Sequence, residues 1–231
     1  MKQLDIPELL DTDSGTAEEI TNALLDIRDI NRRFGGVSTM QSLVERVAKE
    51  VGRTSFTVLE VAAGAGYVPQ AAGERLKRRG IHLQITLLDR AQSHLPEKTS
   101  EDSAFHHAIV GDALALPFPD SSFDLVGCSL FAHHLVADDL LKFVNEGLRV
   151  CRNAVLINDI VRHPVHLALV YAGMPSFRSR LTRNDAVVSV RRAFTPGEMA
   201  ALLKKTSAAR IEIQRQYLFR MGVIVWKNCT A

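Results

Sequence analysis

The stretch VLEVAAGAG at residues 58–66 decides the fold of this chain of 231 residues. It begins as an apolar run that contains one acid, Glu60, and it ends in a turn that carries Gly64 and Gly66. An apolar strand followed by such a turn and a helix is typical of a nucleotide site, because glycines let a ligand approach the backbone closely. Glu60 would repel a pyrophosphate and attract a positively charged ligand. The stretch therefore predicts a site for a cationic nucleoside.

Two common nucleotide sites fit the turn less well. The dinucleotide fingerprint G-x-G-x-x-G has its third glycine where this chain has Pro69, so the match to it is weak. A P-loop requires Gly-Lys followed by Ser or Thr, and no such triplet follows the turn.

Beyond residue 56 the sequence alternates between short apolar runs and helix-like segments. Nearly continuous apolar runs are typical of strands that are covered on both faces, and their alternation with helices predicts a parallel sheet with right-handed crossovers. Ligands of such sheets bind beyond the carboxyl ends of the strands. The predicted strands are 56–61, 83–88, 105–110, 123–128 and 154–157, and the helices are 67–79, a short one after Asp89, and 137–150.

The two ends of the chain follow other patterns. Residues 1–52 contain two amphipathic helices, with capping boxes predicted at Thr16 and Ser38, and we expect them to form an N-terminal helical cover. Residues 53–231 form the predicted core domain. Within it, residues 162–207 are expected to be a helical insertion over the acceptor pocket, with Thr195 capping one helix, and runs 211–218 and 221–226 predict an antiparallel hairpin.

Two further acids follow predicted strands. Asp89 ends the second strand, where a carboxylate accepts hydrogen bonds from a ribose diol, and Asp112 follows the third, where it would meet an adenine amino group. The structural alternatives are a helix cap for Asp89 and a simple turn residue for Asp112. Together with Glu60 they place an acid at three successive strand ends, which is a far more specific pattern than any one of them.

These motifs resemble those of the class I S-adenosylmethionine-dependent methyltransferases. Residues 60–66 are similar to the first motif of that family, Asp89 to its acidic second motif, and the run GDALALPFPDSSFDLV at 111–126 to its third and fourth motifs. The resemblance is strong over residues 56–159. Ala62 departs from it, because the family usually has glycine there. The implied fold is α/β: a doubly wound, mostly parallel seven-stranded, Rossmann-like sheet with an antiparallel C-terminal strand.

The resemblance also implies the cofactor, S-adenosyl-L-methionine, and the residues that would hold it. Glu60 and the glycine backbone would face the methionine moiety, Asp89 the ribose, and Asp112 with Ala113 the adenine, while Ser129 would lie near the methyl group. The expected cofactor site consists of Glu60, Ala62, Gly64, Gly66, Asp89, Arg90, Asp112, Ala113 and Ser129.

The candidate catalytic residues follow the fourth and fifth strands. They are His134, His133 and Asp159. A histidine removes a proton from a phenolic acceptor at neutral pH, although each imidazole has packing or capping as its alternative role. Arg162, His163 and His166 are expected to border the acceptor pocket. No spacing demands a metal, and none is predicted.

Other residues are weaker candidates for binding a substrate or the cofactor. The basic run of residues 178–192 would attract an acidic substrate, but a solvated helix face is the commoner role of such a run. Arg32 and Arg33 are candidates for the carboxylate of the cofactor. The candidate lining of an aromatic acceptor pocket, for which core packing is the alternative, is Tyr67, Phe131, Tyr171, Met174 and Phe177.

Composition bounds the remaining expectations. A net charge of +2 argues for neither nucleic acid nor a membrane, and no segment is typical of a signal peptide or a membrane span, so we expect a cytoplasmic protein. Cys128, Cys151 and Cys229 are too widely spaced for a disulfide framework. The expected reaction is methyl transfer to a small, partly apolar acceptor, with an oxygen nucleophile of a phenolic or polyketide-like molecule favoured. The alternatives are a nicotinamide-dependent oxidoreductase and a non-catalytic methyltransferase-like binding module; the oligomeric state is left open.

Overall fold

A seven-stranded sheet with the order β3-β2-β1-β4-β5-β7-β6 forms the centre of the molecule. The computed structural model describes residues 1–4, 6–12, 15–96 and 105–228. The first five strands are parallel, and β7 pairs antiparallel with both β5 and β6. The strands are β1 (Ser55–Val61), β2 (His82–Asp89), β3 (Phe105–Val110), β4 (Phe123–Ser129), β5 (Cys151–Ile160), β6 (Arg210–Gln216) and β7 (Arg220–Trp226). The predicted fold class is confirmed.

Seven helices surround this sheet in the described parts of the chain. On one face α2 and α3 pack into an apolar core with β1, β2 and β7, and on the other face α4 and α7 form a second core with β4 and β5. Helix α6 contacts both α1 and α5. The helices are α1 (Ala17–Arg33), α2 (Gly36–Val51), α3 (Tyr67–Lys77), α4 (Ala137–Val150), α5 (Pro164–Gly173), α6 (Arg180–Arg192) and α7 (Pro196–Leu203).

Local capping signals explain most helix starts. Thr16 and Glu19 form the predicted capping box of α1, and Thr195 with Glu198 forms that of α7. The box predicted at Ser38 is wrong: α2 already begins at Gly36, and the Ser38 hydroxyl donates to a backbone carbonyl. Gly35 allows α2 to begin so soon after α1. Its φ of +81°, which glycine adopts without strain, turns the chain just after α1 ends.

The helical cover is joined to the insertion by a buried carboxylate. Asp26 on α1 is 2% exposed and accepts three hydrogen bonds at the start of α6. They come from the backbone N–H of Arg178 (2.9 Å), the backbone N–H of Ser179 (3.1 Å) and Nη1 of Arg178 (2.9 Å). Helix α2 packs into the apolar core with β1, β2 and β7. The boundary at residue 52 between an N-terminal cover and a core domain therefore stays a prediction.

The described helices include none that combines the length and the apolar character needed to cross a lipid bilayer.

Candidate functional site

A cavity of about 940 Å³ opens at the carboxyl ends of the parallel strands. This is the edge at which α/β sheets bind their ligands. Most residues predicted to hold the cofactor line it, and so do both candidate histidines. The predicted residues in its wall are Glu60, Ala62, Gly64, Asp89, Arg90, Asp112, Ala113, Ser129, His133 and His134.

The turn after β1 has the backbone geometry that its glycines suggest. Gly64 and Gly66 have φ angles of +50° and +70°, in the left-handed region that glycine adopts without strain. Gly66 caps α3 rather than lining the cavity. Ala62 has a φ of +51°, which strains a residue with a Cβ atom and accounts for a glycine preference at this position.

Asp89 holds the glycine turn in place. It is 9% exposed, and its two carboxylate oxygens accept from the backbone N–H groups of Gly64 (2.8 Å) and Ala91 (3.0 Å). Each oxygen has two lone pairs, so each keeps one acceptor position for a ligand. The capping role and the ligand role weighed from the sequence are thus compatible.

Asp112 is placed differently. Its side chain is exposed, and Oδ1 accepts from the backbone N–H of Leu114 at 2.9 Å. Arg90 is also exposed at the cavity rim. The cavity wall near Asp112 and Arg90 is therefore more exposed to solvent than the wall near Asp89.

Glu60 is a buried acid that lacks a full set of partners. It is 1% exposed, and no group of the described residues is within hydrogen-bonding distance of its Oε2 atom. Burial raises the pKa of Glu60 to about 8, although a hydrogen bond from the Ser129 hydroxyl works against this rise. Glu60 therefore lies in the cavity wall as an acid that a cation would stabilise in its charged form.

Arg220 is a cavity residue that the sequence analysis missed. It is the first residue of β7, is 3% exposed, and donates to Phe34 O (2.9 Å), Asn158 Oδ1 (3.2 Å) and Asn31 Oδ1 (2.8 Å). Arginine in a predicted hairpin turn gives no sign of burial. Only the pairing of β7 with β5 brings it to the cavity.

His133 is the centre of a buried charge cluster. Its Nδ1 lies 2.7 Å from Asp159 Oδ1, and its Nε2 lies 3.4 Å from Glu8 Oε1. Burial alone would lower the pKa of His133, but Asp159 and Glu8 together raise it to about 10. The two carboxylates thus favour the charged form of His133, and Asp159, 1% exposed, is hydrogen-bonded to this imidazole.

His134 has a more accessible position in the same cluster. Its side chain is 20% exposed, with Nδ1 3.0 Å from Asp11 Oδ2 and Nε2 3.8 Å from Glu8 Oε2. A proton on Nδ1 that is donated to Asp11 leaves a lone pair on Nε2. His134 lines the cavity, and its role as a base stays a prediction.

The partners of these histidines come from a segment to which the sequence analysis gave no role. Glu8 and Asp11 lie in residues 6–12, which Asp185 of α6 holds by accepting from the backbone N–H groups of Leu9 and Leu10 at 2.8 and 3.0 Å. Arg192, 7% exposed, donates to the backbone carbonyls of His133 and His134. No periodicity links residues more than 120 positions apart, so only the fold identifies this contact.

The cluster also bears on the prediction of no metal. Glu8, His133 and His134 offer ligand atoms that all lie within 4.8 Å of one another. Burial would raise the pKa of Glu8, but its hydrogen bond to His133 and the charges of His134 and His133 lower it below its ordinary value. The imidazole of His133, when protonated, supplies one positive charge between the carboxylates of Glu8 and Asp159, and the absence of a metal stays a prediction.

Several other predicted residues have structural partners. Arg162 pairs with Glu198, and His163 caps α5. His166 does border the cavity, where burial lowers its pKa. The basic run mainly joins α6 to α1, through Arg178 and Arg180.

Some of the residues expected to line an aromatic pocket, or to bind the carboxylate of the cofactor, lie elsewhere in the structure. Tyr67, Phe131 and Phe177 line the cavity, whereas Tyr171 is 51% exposed. Arg32 pairs with Asp29 on the surface of α1.

The cysteines are a separate matter. Burial raises the pKa of the Cys128 and Cys151 thiols, and Cys229 lies outside the described residues.

Comparison with known proteins agrees with this geometry. A family model described as a methyltransferase domain matches residues 59–157. The uncharacterized methyltransferase YcgJ of Bacillus subtilis (strain 168) is 35% identical over 101 residues, which are 43% of this chain and 38% of that protein. A demethylmenaquinone methyltransferase of Thermotoga maritima is 45% identical over 71 residues, 30% of this chain and 28% of that protein. The matches thus span well under half of these relatives.

Solved structures extend the similarity to nearly the whole chain. The plantazolicin methyltransferase BpumL, solved with a desmethylPZN analog and SAH, has a TM-score of 0.67 and 12% identity, with 95% of this chain and 93% of that chain covered. At this identity the likeness concerns the fold alone. Sheet order, glycine turn, acids at strand ends and the matched domain lead to one conclusion: residues 59–157 are similar to a methyltransferase domain, within a Rossmann-like methyltransferase fold of the kind found in class I S-adenosylmethionine-dependent methyltransferases.

Proposed function

We propose that this protein transfers a methyl group from S-adenosylmethionine to an oxygen of a small, partly apolar acceptor, with a phenolic or polyketide-like hydroxyl as the preferred class. The observation that carries the proposal is the unpartnered carboxyl oxygen of Glu60 in the cavity wall. A buried acid of this kind requires a cationic partner, and the cofactor offers an ammonium group.

The residues present fit this cofactor. Glu60 would accept from the ammonium group, and Asp89 has one free acceptor position on each oxygen for the ribose hydroxyls. Gly64, the strained Ala62 and Ser129 would border the methionine moiety, with Gly66 starting the helix behind the turn, while Asp112, Ala113 and Arg90 would border the adenosine end. These roles extend the family's motifs to this chain.

The chain's own part in the reaction is to position the acceptor and take up its proton. Bound S-adenosylmethionine supplies an electrophilic methyl group, whose bond electrons stay with sulfur when the acceptor oxygen bonds to carbon. His134 Nε2 would accept the hydroxyl proton, and the resulting imidazolium would lie between Asp11 and Glu8. His133, held by Asp159, would position the turn that carries His134.

The wall of the cavity supports an acceptor with apolar character. Helices α1, α5 and α6 contribute aliphatic side chains to the cavity wall, and the segment between α5 and α6 contributes Phe177; such walls favour apolar ligands with a few polar anchors. The relevant residues are Leu24, Ile27, Leu169, Val170, Phe177 and Val190. We therefore propose that residues 162–207 act as the acceptor-side wall.

Two alternatives arose from the sequence. The nicotinamide-dependent oxidoreductase is set aside, because the matched family is that of methyltransferases. The second, a non-catalytic module, binds cofactor without turnover. We propose an oxygen acceptor because a hydroxyl has a proton that His134 would take up; a carbon or nitrogen acceptor would also lose a proton, so the transfer assay distinguishes the three.

Calorimetry and a transfer assay test the proposal in sequence. We expect S-adenosylhomocysteine (SAH) to bind the folded protein, and methyl-labelled cofactor to label phenols in preference to amines or carboxylic acids. Absence of SAH binding at high micromolar concentration would rule out the cofactor. Binding without labelling of any acceptor class would favour the module.

A comparison of the two strand-end acids gives a first prediction. Asp89→Ala removes the acceptor for the Gly64 N–H together with the ribose partner, so we expect SAH affinity to fall by about 10- to 100-fold. Asp112→Ala removes an exposed side chain, so we expect a loss below about tenfold. Titration calorimetry measures both variants. Equal losses, or a larger loss for Asp112→Ala, would contradict this division of roles between the two acids.

The proton on Glu60 gives a second prediction. Its pKa is raised from 4.5 to about 8 in the ligand-free fold, so the stability linked to this proton is complete below pH 4.5 and is lost as pH rises through about 8. A bound ammonium group favours the carboxylate, so SAH binding at pH 7 should release a proton from Glu60.

Calorimetry in buffers of different ionisation enthalpy measures this release. We expect the wild type to release up to about one proton more than Glu60→Gln, which has no proton to lose there. The glutamine variant also serves as the control for titration of the ligand's own amine. Identical proton release by the two proteins would refute the assignment.

A further inference from the structure

A row of four polar side chains crosses the sheet beneath the cavity. Glu60 on β1, Ser129 on β4, Asn158 on β5 and Arg220 on β7 lie on neighbouring strands. Arg220 donates to Asn158 Oδ1 (3.2 Å), and Asn158 donates to Ser129 Oγ (3.3 Å), while the Ser129 hydroxyl acts on Glu60 by lowering its pKa. The row therefore has an acid at one end and a guanidinium at the other.

The two ends of this row are buried ionisable groups without counter-ions. Glu60 is 1% exposed with one oxygen unpartnered, and Arg220 is 3% exposed with three uncharged acceptors, Phe34 O, Asn31 and Asn158. Across the described residues, no carboxylate forms an ion pair with Arg220; the charge of Asp159 acts on it from a distance, and Asp159 is itself bound to His133. Burial lowers the pKa of Arg220 to about 10.

Isolated buried charges are costly, and a ligand of opposite charge offsets that cost. Both groups are in the wall of the same cavity, and Arg220 has five N–H donors of which three are used within the protein. Two donors remain for an anion. The other arginines in that wall, Arg28 and Arg90, are not fully buried, and solvent screens their charges.

We propose that Arg220 binds the carboxylate of the cofactor's methionine moiety while Glu60 binds its ammonium group, so that the row recognises an amino-acid zwitterion. The inference rests on the proposed function, because it presumes that S-adenosylmethionine occupies this cavity. The carboxylate would then be bound by a residue of β7, and not by Arg32 or Arg33, which the sequence offered as candidates for this role. A planar guanidinium suits a carboxylate, since it can donate two parallel hydrogen bonds.

Ligand analogues test the inference on the wild-type protein. SAH carries both charges, its decarboxylated analogue lacks the carboxylate, and 5′-methylthioadenosine lacks both. We expect the wild type to bind the decarboxylated analogue about 10- to 100-fold more weakly than SAH. Because this comparison needs no mutation, it holds even if a variant fails to fold.

Variants then assign the effect to a residue. In Arg220→Gln the preference for SAH over the decarboxylated analogue should shrink to about twofold or less, with affinity for 5′-methylthioadenosine changed little. Arg162→Gln is the matched control: it removes another buried arginine, one that pairs with Glu198 outside the cavity, and should keep the full preference. Thermal unfolding curves establish that each variant is folded.

The outcomes separate the inference from the proposed function. If the folded wild type does not bind SAH, both fail. If SAH binds but the decarboxylated analogue binds equally well, or if Arg220→Gln keeps the preference of the wild type, the inference alone is overturned. Loss of the preference in Arg220→Gln with its retention in Arg162→Gln supports it.

Discussion

We expect His134→Gln to lower the rate of methyl transfer to a phenol by about 10²- to 10⁴-fold, the usual contribution of a positioned general base. The reason is the placement of its two nitrogens. Nδ1 lies 3.0 Å from Asp11 and would keep its proton there, which would leave the lone pair of Nε2, 3.8 Å from Glu8, to accept the hydroxyl proton. Glutamine keeps a polar side chain of similar reach but cannot take up a proton. SAH affinity should change by less than about threefold, since His134 is placed on the acceptor side.

The choice of acceptor distinguishes a base from a structural residue. A phenol that is already ionised at the assay pH, such as 4-nitrophenol at pH 8, has no proton to lose, so His134→Gln should slow its methylation far less. His82→Gln is the control, because His82 is exposed at the start of β2, at the opposite end of the strand from the cavity. Equal losses for the neutral and the ionised phenol would remove His134 from the proton transfer.

The second large effect concerns stability. Asp26→Ala should lower the free energy of unfolding by about 2–4 kcal/mol, because it leaves backbone N–H groups at the start of α6 without an acceptor, including that of the buried Ser179. Urea unfolding with an unchanged m-value measures the loss. The acceptor-side wall depends on this contact, so affinity for an acceptor should fall more than affinity for SAH.

Asp29 provides the matched control for this variant. It is one turn further along α1 and pairs with arginines that are about half exposed, including Arg32 and Arg178. Solvent screens these pairs, so Asp29→Ala should destabilise the protein distinctly less than Asp26→Ala. A loss for Asp26→Ala below about 1 kcal/mol would show that solvent replaces the missing acceptor.

Local sequence signals were sufficient to predict the sheet and to place the glycine turn and the strand-end residues at one edge of it. The glycine turn, Asp89 and Ser129 lie at strand ends, and the topology of a parallel sheet brings strand ends together whatever the rest of the chain does. The capping box at Thr16 depends on residues three apart. Signals of this kind are complete within a few residues, so they can be read without the fold.

The acceptor side could not be predicted in the same way. Glu8 contacts His133 and Ser189, which are 125 and 181 positions away, and an isolated glutamate near the N-terminus has no pattern that predicts burial. Arg192 belonged to a basic run that is typical of a solvated surface, yet its guanidinium is buried against two carbonyls. Long-range pairing of polar groups depends on the final packing, which no local periodicity encodes.

The contact of residues 6–12 with α6 has a consequence for biosynthesis. The glycine turn and its acids are all present once residue 129 has been made, whereas Glu8 must wait for Ser189, and Leu9 and Leu10 for Asp185. Residues 6–12 are thus made long before α6 but gain these contacts only after it. During synthesis, the bond between Glu8 and Ser189 can form only after most of the described residues have been made.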